Sequence, residues 1–193
     1  NNPTGTLLSN EALYKFLLKV SNSVIVVLDQ AYVEYLNVVD DTVQWLHEFD
    51  NLVITRTFSK AYGLAGLRIG YSISSSQIAD YLNRIRQPFN VNYVAQIAAT
   101  AALADEAFLV RSVVANKNGL LQLSQGFDKL DLSYIPSSAN FVAVKVNDAI
   151  KIYQKLLEKG FIVRPVEMQN YLRVSVGTQI ENEEFLDALK SVL

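Results

Sequence analysis

The chain has 193 residues, half of them hydrophobic and 19% charged, with a net charge of −2; it can bury a sizeable core, and it lacks the bulk basicity of a general nucleic-acid binder. No cysteine and a single histidine, His47, exclude a disulfide framework, a thiolate metal site and a histidine-rich metal centre. No apolar run approaches the length of a bilayer span and the first residues do not read as a signal peptide, so a cytoplasmic protein without membrane attachment is expected.

The chain opens on Asn1-Asn2-Pro3-Thr4-Gly5, a turn-rich string without an initiator methionine. Leu13, Phe16, Leu17 and Val20 recur at helical spacing after a Ser9-Asn10-Glu11 start signal. Val24-Ile25-Val26-Val27-Leu28 is an apolar run without alternation, which suits a strand buried on both faces of a parallel sheet. Leu52-Val53-Ile54-Thr55 and Leu67-Arg68-Ile69-Gly70-Tyr71 are further strand candidates. Ile78, Tyr81, Leu82 and Ile85 mark a helix that Pro88 ends. The pattern predicts helix for most of residues 92–130, weakened by Gly119 and Gly126. A compact strand–helix–strand–strand–helix series follows: a strand over 140–146, a helix through Ala149, Ile152, Leu156 and Leu157 that Gly160 stops, strands over 161–164 and 171–176, and a closing helix through Phe185, Leu186, Leu189 and Val192. The reading is α/β, with a boundary near residue 115 inside a long connecting helix: a larger domain over 1–115 and a smaller α+β one over 116–193.

Four strings carry candidate chemistry. The opening Pro-Thr-Gly string reads by itself as a capped turn. Leu28-Asp29-Gln30-Ala31-Tyr32 places a carboxylate at the C-terminal end of an apolar strand, where open α/β sheets bind ligands; by itself it also fits a loop acid or helix cap. The third string is Thr57-Phe58-Ser59-Lys60-Ala61-Tyr62-Gly63-Leu64-Ala65-Gly66-Leu67-Arg68. It packs a lysine, hydroxyls, glycines and an arginine behind the next strand. Thr57, Ser59 and Arg68 are the donors a phosphate needs, and the glycines permit close backbone approach. In Tyr171-Leu172-Arg173-Val174-Ser175-Val176-Gly177-Thr178, alternation puts Arg173 on the face opposite Leu172 and Val174, as an edge residue or an anion receptor.

In this order, the Asn-Pro-Thr-Gly, Asp-x-Ala-Tyr, Ser-Lys-x-x-x-x-Ala-Gly-x-Arg and Leu-Arg-x-Ser-x-Gly-Thr strings resemble the fold-type-I pyridoxal-phosphate-dependent aminotransferases, and within them the histidinol-phosphate aminotransferase group. The resemblance runs from residue 1 to residue 193. It implies the C-terminal part of that fold's large domain, a mostly parallel sheet flanked by helices, plus the small C-terminal domain. It implies pyridoxal 5'-phosphate as cofactor, an amino donor and a 2-oxo acid as substrates, a homodimer, and no metal. Lys60 looks like the lysine that holds the cofactor as a Schiff base and then shuttles a proton. Asp29 looks like the carboxylate paired with the cofactor's ring nitrogen. Asn2 and Tyr32 match the residues that hydrogen-bond its phenolic oxygen, and Thr57, Ser59 and Arg68 match part of its phosphate cup. Arg173 matches the receptor for the substrate's anionic group, and Arg164, in Phe161-Ile162-Val163-Arg164-Pro165, is a candidate for a second.

The residue types fit that chemistry. A buried aspartate favours a protonated ring nitrogen by direct charge pairing. A lysine amine can both condense with an aldehyde and act as general acid and base, whereas an arginine is never deprotonated. One departure is Gln30, where the family usually has a glutamate. Another is that the family's N-terminal portion, which supplies helix-start amides for the phosphate and an aromatic residue stacked on the ring, has no counterpart upstream of Asn1. The expectation is therefore a fragment with little activity alone, derived from an enzyme that converts histidinol phosphate and 2-oxoglutarate to imidazole acetol phosphate and glutamate. Alternatives are an aromatic or aspartate aminotransferase, a phosphothreonine decarboxylase, the effector domain of a transcription regulator, and a non-catalytic remnant that self-associates.

Overall fold

The computed structural model describes residues 1–36 and 41–193. It divides into two compact units, Leu8–Val110 and a second made of Asn1–Leu7 with Arg111–Leu193. The opening turn thus goes with the C-terminal residues, and the division falls at Val110, within a helix, where the sequence suggested a point near residue 115.

In the first unit, α1 (Asn10–Leu17) starts on Ser9, whose hydroxyl accepts the Ala12 amide at 3.2 Å. Three strands follow, β1 (Val26–Asp29), β2 (Leu52–Thr57) and β3 (Gly70–Ser74), then α2 (Ser76–Ile85) and α3 (Tyr93–Ala104). The sheet order is β1-β2-β3, with β1 parallel to β2 and β3 antiparallel to it. One sheet face packs: Leu52 and Ile54, with Val26, Leu28 and Ile73, close on Leu17 of α1, Trp45 of the 3-10 turn Thr42–His47 and Phe49 just after that turn. The other face of β1 is open, and Val27 is 59% exposed. The expectation of a strand buried on both faces is corrected here. β1 is an edge strand of the described sheet, and no described residue covers its second face. The strand expected over 67–71 is also displaced. It starts at Gly70, because Ala65–Leu67 forms a 3-10 turn and Arg68 takes a left-handed conformation at φ 54°.

The helical stretch expected from residue 92 is two helices, α3 and α4 (Glu106–Lys129), broken at Asp105. Asp105 leaves helical geometry as the cap of α3, and its carboxylate accepts the Phe108 amide at 2.9 Å to start the next helix.

In the second unit, β4 (Tyr134–Ile135), β5 (Phe141–Lys145), α5 (Ala149–Glu158), β6 (Arg164–Pro165), β7 (Tyr171–Ser175) and α6 (Gln179–Val192) form a four-stranded antiparallel sheet, order β4-β5-β7-β6, with helices on one face. Val142, Val144, Leu172 and Val174 face a core completed by Leu123, Phe127, Ile152, Leu156, Phe185 and Leu189. The strand expected over 161–164 is reduced to the two residues of β6. Gly119 and Gly126 do not break α4. A Cβ at 119 would lie 2.3 Å from Val176 Cγ1, and one at 126 would lie 2.4 Å from Leu186 Cδ1, so the glycines let α4 pack tightly against Val176, just past β7, and against α6. Buried Asn182 locks that junction, accepting the Gly177 amide at 2.9 Å and donating to Gln122 Oε1 at 3.0 Å.

Candidate active site

Each sheet turns its candidate residues away from its core. In the first unit, β1 alternates so that Leu28 packs inward and Asp29 lies with Val27 on the open face, level with Thr55 of β2. Asp29 Oδ1 accepts the Ala31 amide at 3.0 Å, closing a turn that carries Tyr32. Asp29 is exposed rather than buried, since its face is uncovered among the described residues.

Thr57 ends β2 and pairs with Gly70, so the segment between them is the loop of a hairpin. Buried Phe58 and Ala61 anchor it, Phe58 against the rings of Tyr62 and Tyr71. The Gly63 amide donates to Lys60 O at 2.9 Å, forming a tight turn around the lysine. Lys60 is half-buried, with its Nζ over the Tyr32 ring at 5.7 Å from the centroid. Thr57, Ser59 and Arg68 form one hydrogen-bonded string. Thr57 Oγ1 accepts the Ser59 amide at 3.1 Å, Ser59 Oγ accepts Arg68 Nη1 at 3.4 Å, and the same Nη1 donates to Ala65 O at 2.9 Å. Both hydroxyls are acceptors in these bonds, and among the described residues neither has an acceptor of its own, so both protons are available to a ligand oxygen. With the guanidinium beside them, this donor set fits a phosphate. Behind the loop, burial raises the Tyr62 hydroxyl above its ordinary value of 10.0, and the charge of Glu34 adds to the effect while Arg56 opposes it.

In the second unit, the opening turn rests on residues 137 and 138. Gly5, at φ 77°, has no room for a Cβ against Ser137, and its carbonyl accepts the Ser138 amide at 2.8 Å. This holds Asn2 where its Oδ1 accepts Arg173 Nη1 at 2.7 Å. Arg173 lies on the face of β7 opposite Leu172 and Val174, with its Cζ 5.0 Å from the centre of the Phe141 ring. Its Nε is buried without a hydrogen-bond partner among the described residues. Directly across in β6 stands Arg164, on the same face and exposed. Neither guanidinium has a carboxylate partner among the described residues. Two like charges opposite each other, one with a buried unsatisfied donor, fit an anion receptor.

The structure therefore groups Asn2, Arg164 and Arg173 in one unit, and Asp29, Tyr32, Thr57, Ser59, Lys60 and Arg68 in the other. Sequence reading missed Phe141 beneath Arg173, although strand alternation put it on that face. It also set Gln30 aside.

A model of the aminotransferase class I and II family matches residues 1–189. The chain belongs to that family. Among relatives in the class I and II aminotransferases, the histidinol-phosphate aminotransferase of Methylobacillus flagellatus is 56% identical over 198 residues, covering 100% of this chain and 54% of the relative. That of Caldicellulosiruptor saccharolyticus is 49% identical over 199 residues, covering 100% and 56%. The chain thus spans about half the length of the curated relatives it matches. The crystal structure of histidinol-phosphate aminotransferase from Sinorhizobium meliloti in complex with pyridoxal-5'-phosphate superposes with a TM-score of 0.91 at 32% identity, over 99% of this chain and 55% of the other. L-threonine-O-3-phosphate decarboxylase from Porphyromonas gingivalis is also similar, at a TM-score of 0.87 and 25% identity, over 100% and 61%. The fold is that of this α/β family. No described helix is long and apolar enough to cross a membrane, and the described residues contain no His, Cys, Asp or Glu group suited to a metal.

Proposed function

We propose that this chain carries the lysine, the phosphate donors and the anion receptor of a pyridoxal-phosphate-dependent transaminase that exchanges an amino group between histidinol phosphate and 2-oxoglutarate. The carrying observation is the string Thr57–Ser59–Arg68, whose two hydroxyl protons and guanidinium stand open to an anion beside half-buried Lys60. Relatives at about half identity bearing the histidinol-phosphate aminotransferase name support the substrate.

The residues have separable roles in this reading. When bound, pyridoxal phosphate supplies an electron sink for negative charge at the substrate's Cα. Thr57, Ser59 and Arg68 hold its phosphate, and Asp29 pairs with its ring nitrogen. Tyr32 and Asn2 donate to its phenolic oxygen. The Asn2 oxygen is already committed to Arg173, which leaves the amide nitrogen to donate. Lys60 takes the proton from Cα as a general base and returns it as a general acid, which an amine can do and a guanidinium cannot. Arg173 and Arg164 grip the substrate's phosphate in one half-reaction and a carboxylate of the 2-oxo acid in the other.

The proposal extends to a homodimer, supported by exposed apolar side chains on and between α2 and α3, among them Ile85, Phe89 and Tyr93 at 78%, 96% and 74% exposure. It extends to the cytoplasm, where small phosphorylated substrates are retained. The test is borohydride reduction of the protein with pyridoxal phosphate, followed by mapping of the modified lysine. Label is expected on Lys60, and because Asp29 is exposed, the 193 residues alone should need high cofactor concentration and turn over little. Label confined to another lysine refutes the site. Rates with histidinol phosphate, aspartate, an aromatic amino acid and phosphothreonine decide the donor.

A further inference from the structure

Gln30 and Arg56 lie on the core side of the first sheet, directly behind the candidate site. Arg56 Nε donates to Gln30 Oε1 at 3.0 Å, and Gln30 Nε2 donates to Thr42 Oγ1 at 2.7 Å. Thr42 is 2% exposed, so this chain of bonds reaches a buried hydroxyl. Both ends of the Gln30 amide are used. A glutamate could accept from Arg56 but could not donate to Thr42.

The placement matters because of what flanks each partner. Asp29 precedes Gln30 and Tyr32 follows two residues later. The Gln30 carbonyl accepts the Val33 amide at 3.2 Å, closing the turn that carries Tyr32. On the other strand, Thr57 follows Arg56 and Lys60 comes three residues after that. The register between β1 and β2 ends at Asp29 and Thr55, with one further backbone bond from Gln30 N to Thr55 O at 2.9 Å. Beyond that point, the Gln30–Arg56 bond also ties the two chain segments, on the core side of the sheet, while Lys60 Nζ lies over the Tyr32 ring beyond it.

We infer that Gln30 and Arg56, braced by Thr42, are positioning residues: their side-chain bond holds the turn 29–32 in register with the segment 57–60. The inference rests on the proposed function for its consequence and on hydrogen-bond geometry for its substance. It also assigns a task to the glutamine that departs from the family's usual glutamate.

The test uses the full 193-residue chain and two substitutions. Gln30→Met keeps the side-chain length and removes both bonds, whereas Gln30→Glu keeps the acceptor for Arg56. Amide hydrogen exchange should rise roughly tenfold in residues 31–35 and 59–63 of Gln30→Met, as expected for loss of a part-buried hydrogen bond to a charged donor. Exchange elsewhere in Leu8–Val110 should be unchanged, and Gln30→Glu should restore both segments to within about threefold of the original chain. Trapping of pyridoxal phosphate on Lys60 should fall in Gln30→Met and recover in Gln30→Glu. Unchanged exchange in both segments overturns the inference. So does a rise spread over the whole unit, which would mark a merely structural bond, or a failure of Gln30→Glu to rescue. If Gln30→Met does not fold, Arg56→Lys, which keeps the charge and drops the Nε donor, is judged by the same exchange criteria. Trapping on another lysine in the unsubstituted chain would sink the proposed function and leave the exchange data to decide the positioning role alone.

Discussion

An Arg173→Leu substitution separates ligand recognition from folding, because the contributions that hold Arg173 in the ligand-free chain nearly cancel. Its bond to Asn2 Oδ1 at 2.7 Å is worth roughly 1.5–3 kcal/mol, as for a hydrogen bond with one charged partner. The Phe141 ring, 5.0 Å from its Cζ, adds about 0.5–2 kcal/mol. Against these stand the buried Nε, which has no partner among the described residues and costs about 1–3 kcal/mol, and the like charge of Arg164 opposite it, which costs up to about 1 kcal/mol. Leucine also keeps an apolar surface over Phe141. The unfolding free energy of the second unit should therefore change by less than about 2 kcal/mol, well below the 3–5 kcal/mol cost (roughly) of breaking a paired buried charge. Affinity of the cofactor-loaded protein for histidinol phosphate should nevertheless fall on the order of a hundredfold, since a desolvated charged contact is lost. Urea unfolding and isothermal titration measure the two effects. A loss of more than about 4 kcal/mol in stability with unchanged affinity would make Arg173 a structural residue and refute the receptor reading.

Two further predictions concern the second unit's framework. Gly119→Ala should lower its stability by about 1–2 kcal/mol, because overpacking outweighs the gain in helix propensity. The new methyl would sit 2.3 Å from the Val176 Cγ1 and 3.0 Å from the Asn182 Nδ2; thermal unfolding that shows a gain would mean α4 can move off the β7–α6 junction freely. The Glu181 carboxyl is held below its ordinary value of 4.5, first by the Thr178 backbone amide and then by the Thr178 hydroxyl, in a capping box that starts α6. A depressed folded-state value means stabilisation that is fully present above about pH 4.5 and is lost as pH falls through the lower folded value. The acid limb of a pH-dependent melt should therefore flatten in Glu181→Gln, and an unaltered limb would contradict the assignment.

The site motifs and several elements were legible locally because local chemistry carries them. Ser9 before an apolar helix period, the Gly160 stop, and the alternation that sets Arg173 against Leu172 and Val174 depend on residues within a few positions of one another. The four ordered strings pointed to the family for a similar reason: lysine, strand-end carboxylate, hydroxyl–arginine cluster and distal arginine are each required by type. Other features depended on what lies across the fold. Val24 to Leu28 reads as doubly buried, yet whether a face is covered is decided by neighbouring elements, and here Val27 and Asp29 stand open. Arg68 sits in a string that looks like a strand, but a left-handed turn and its bond to Ala65 O take it out of the sheet and towards Ser59. Gly119 and Gly126 look like helix weaknesses until α6 and Val176 are seen against them. Gln30 looked like a tolerated substitution until Arg56 and Thr42, remote in sequence, closed on it. Residue type and spacing alone pointed to the family and to candidate reactive groups. Only tertiary structure decided which faces are covered, which donors remain open, and which side chains brace the rest, because burial and hydrogen-bond pairing are properties of contacts between distant segments.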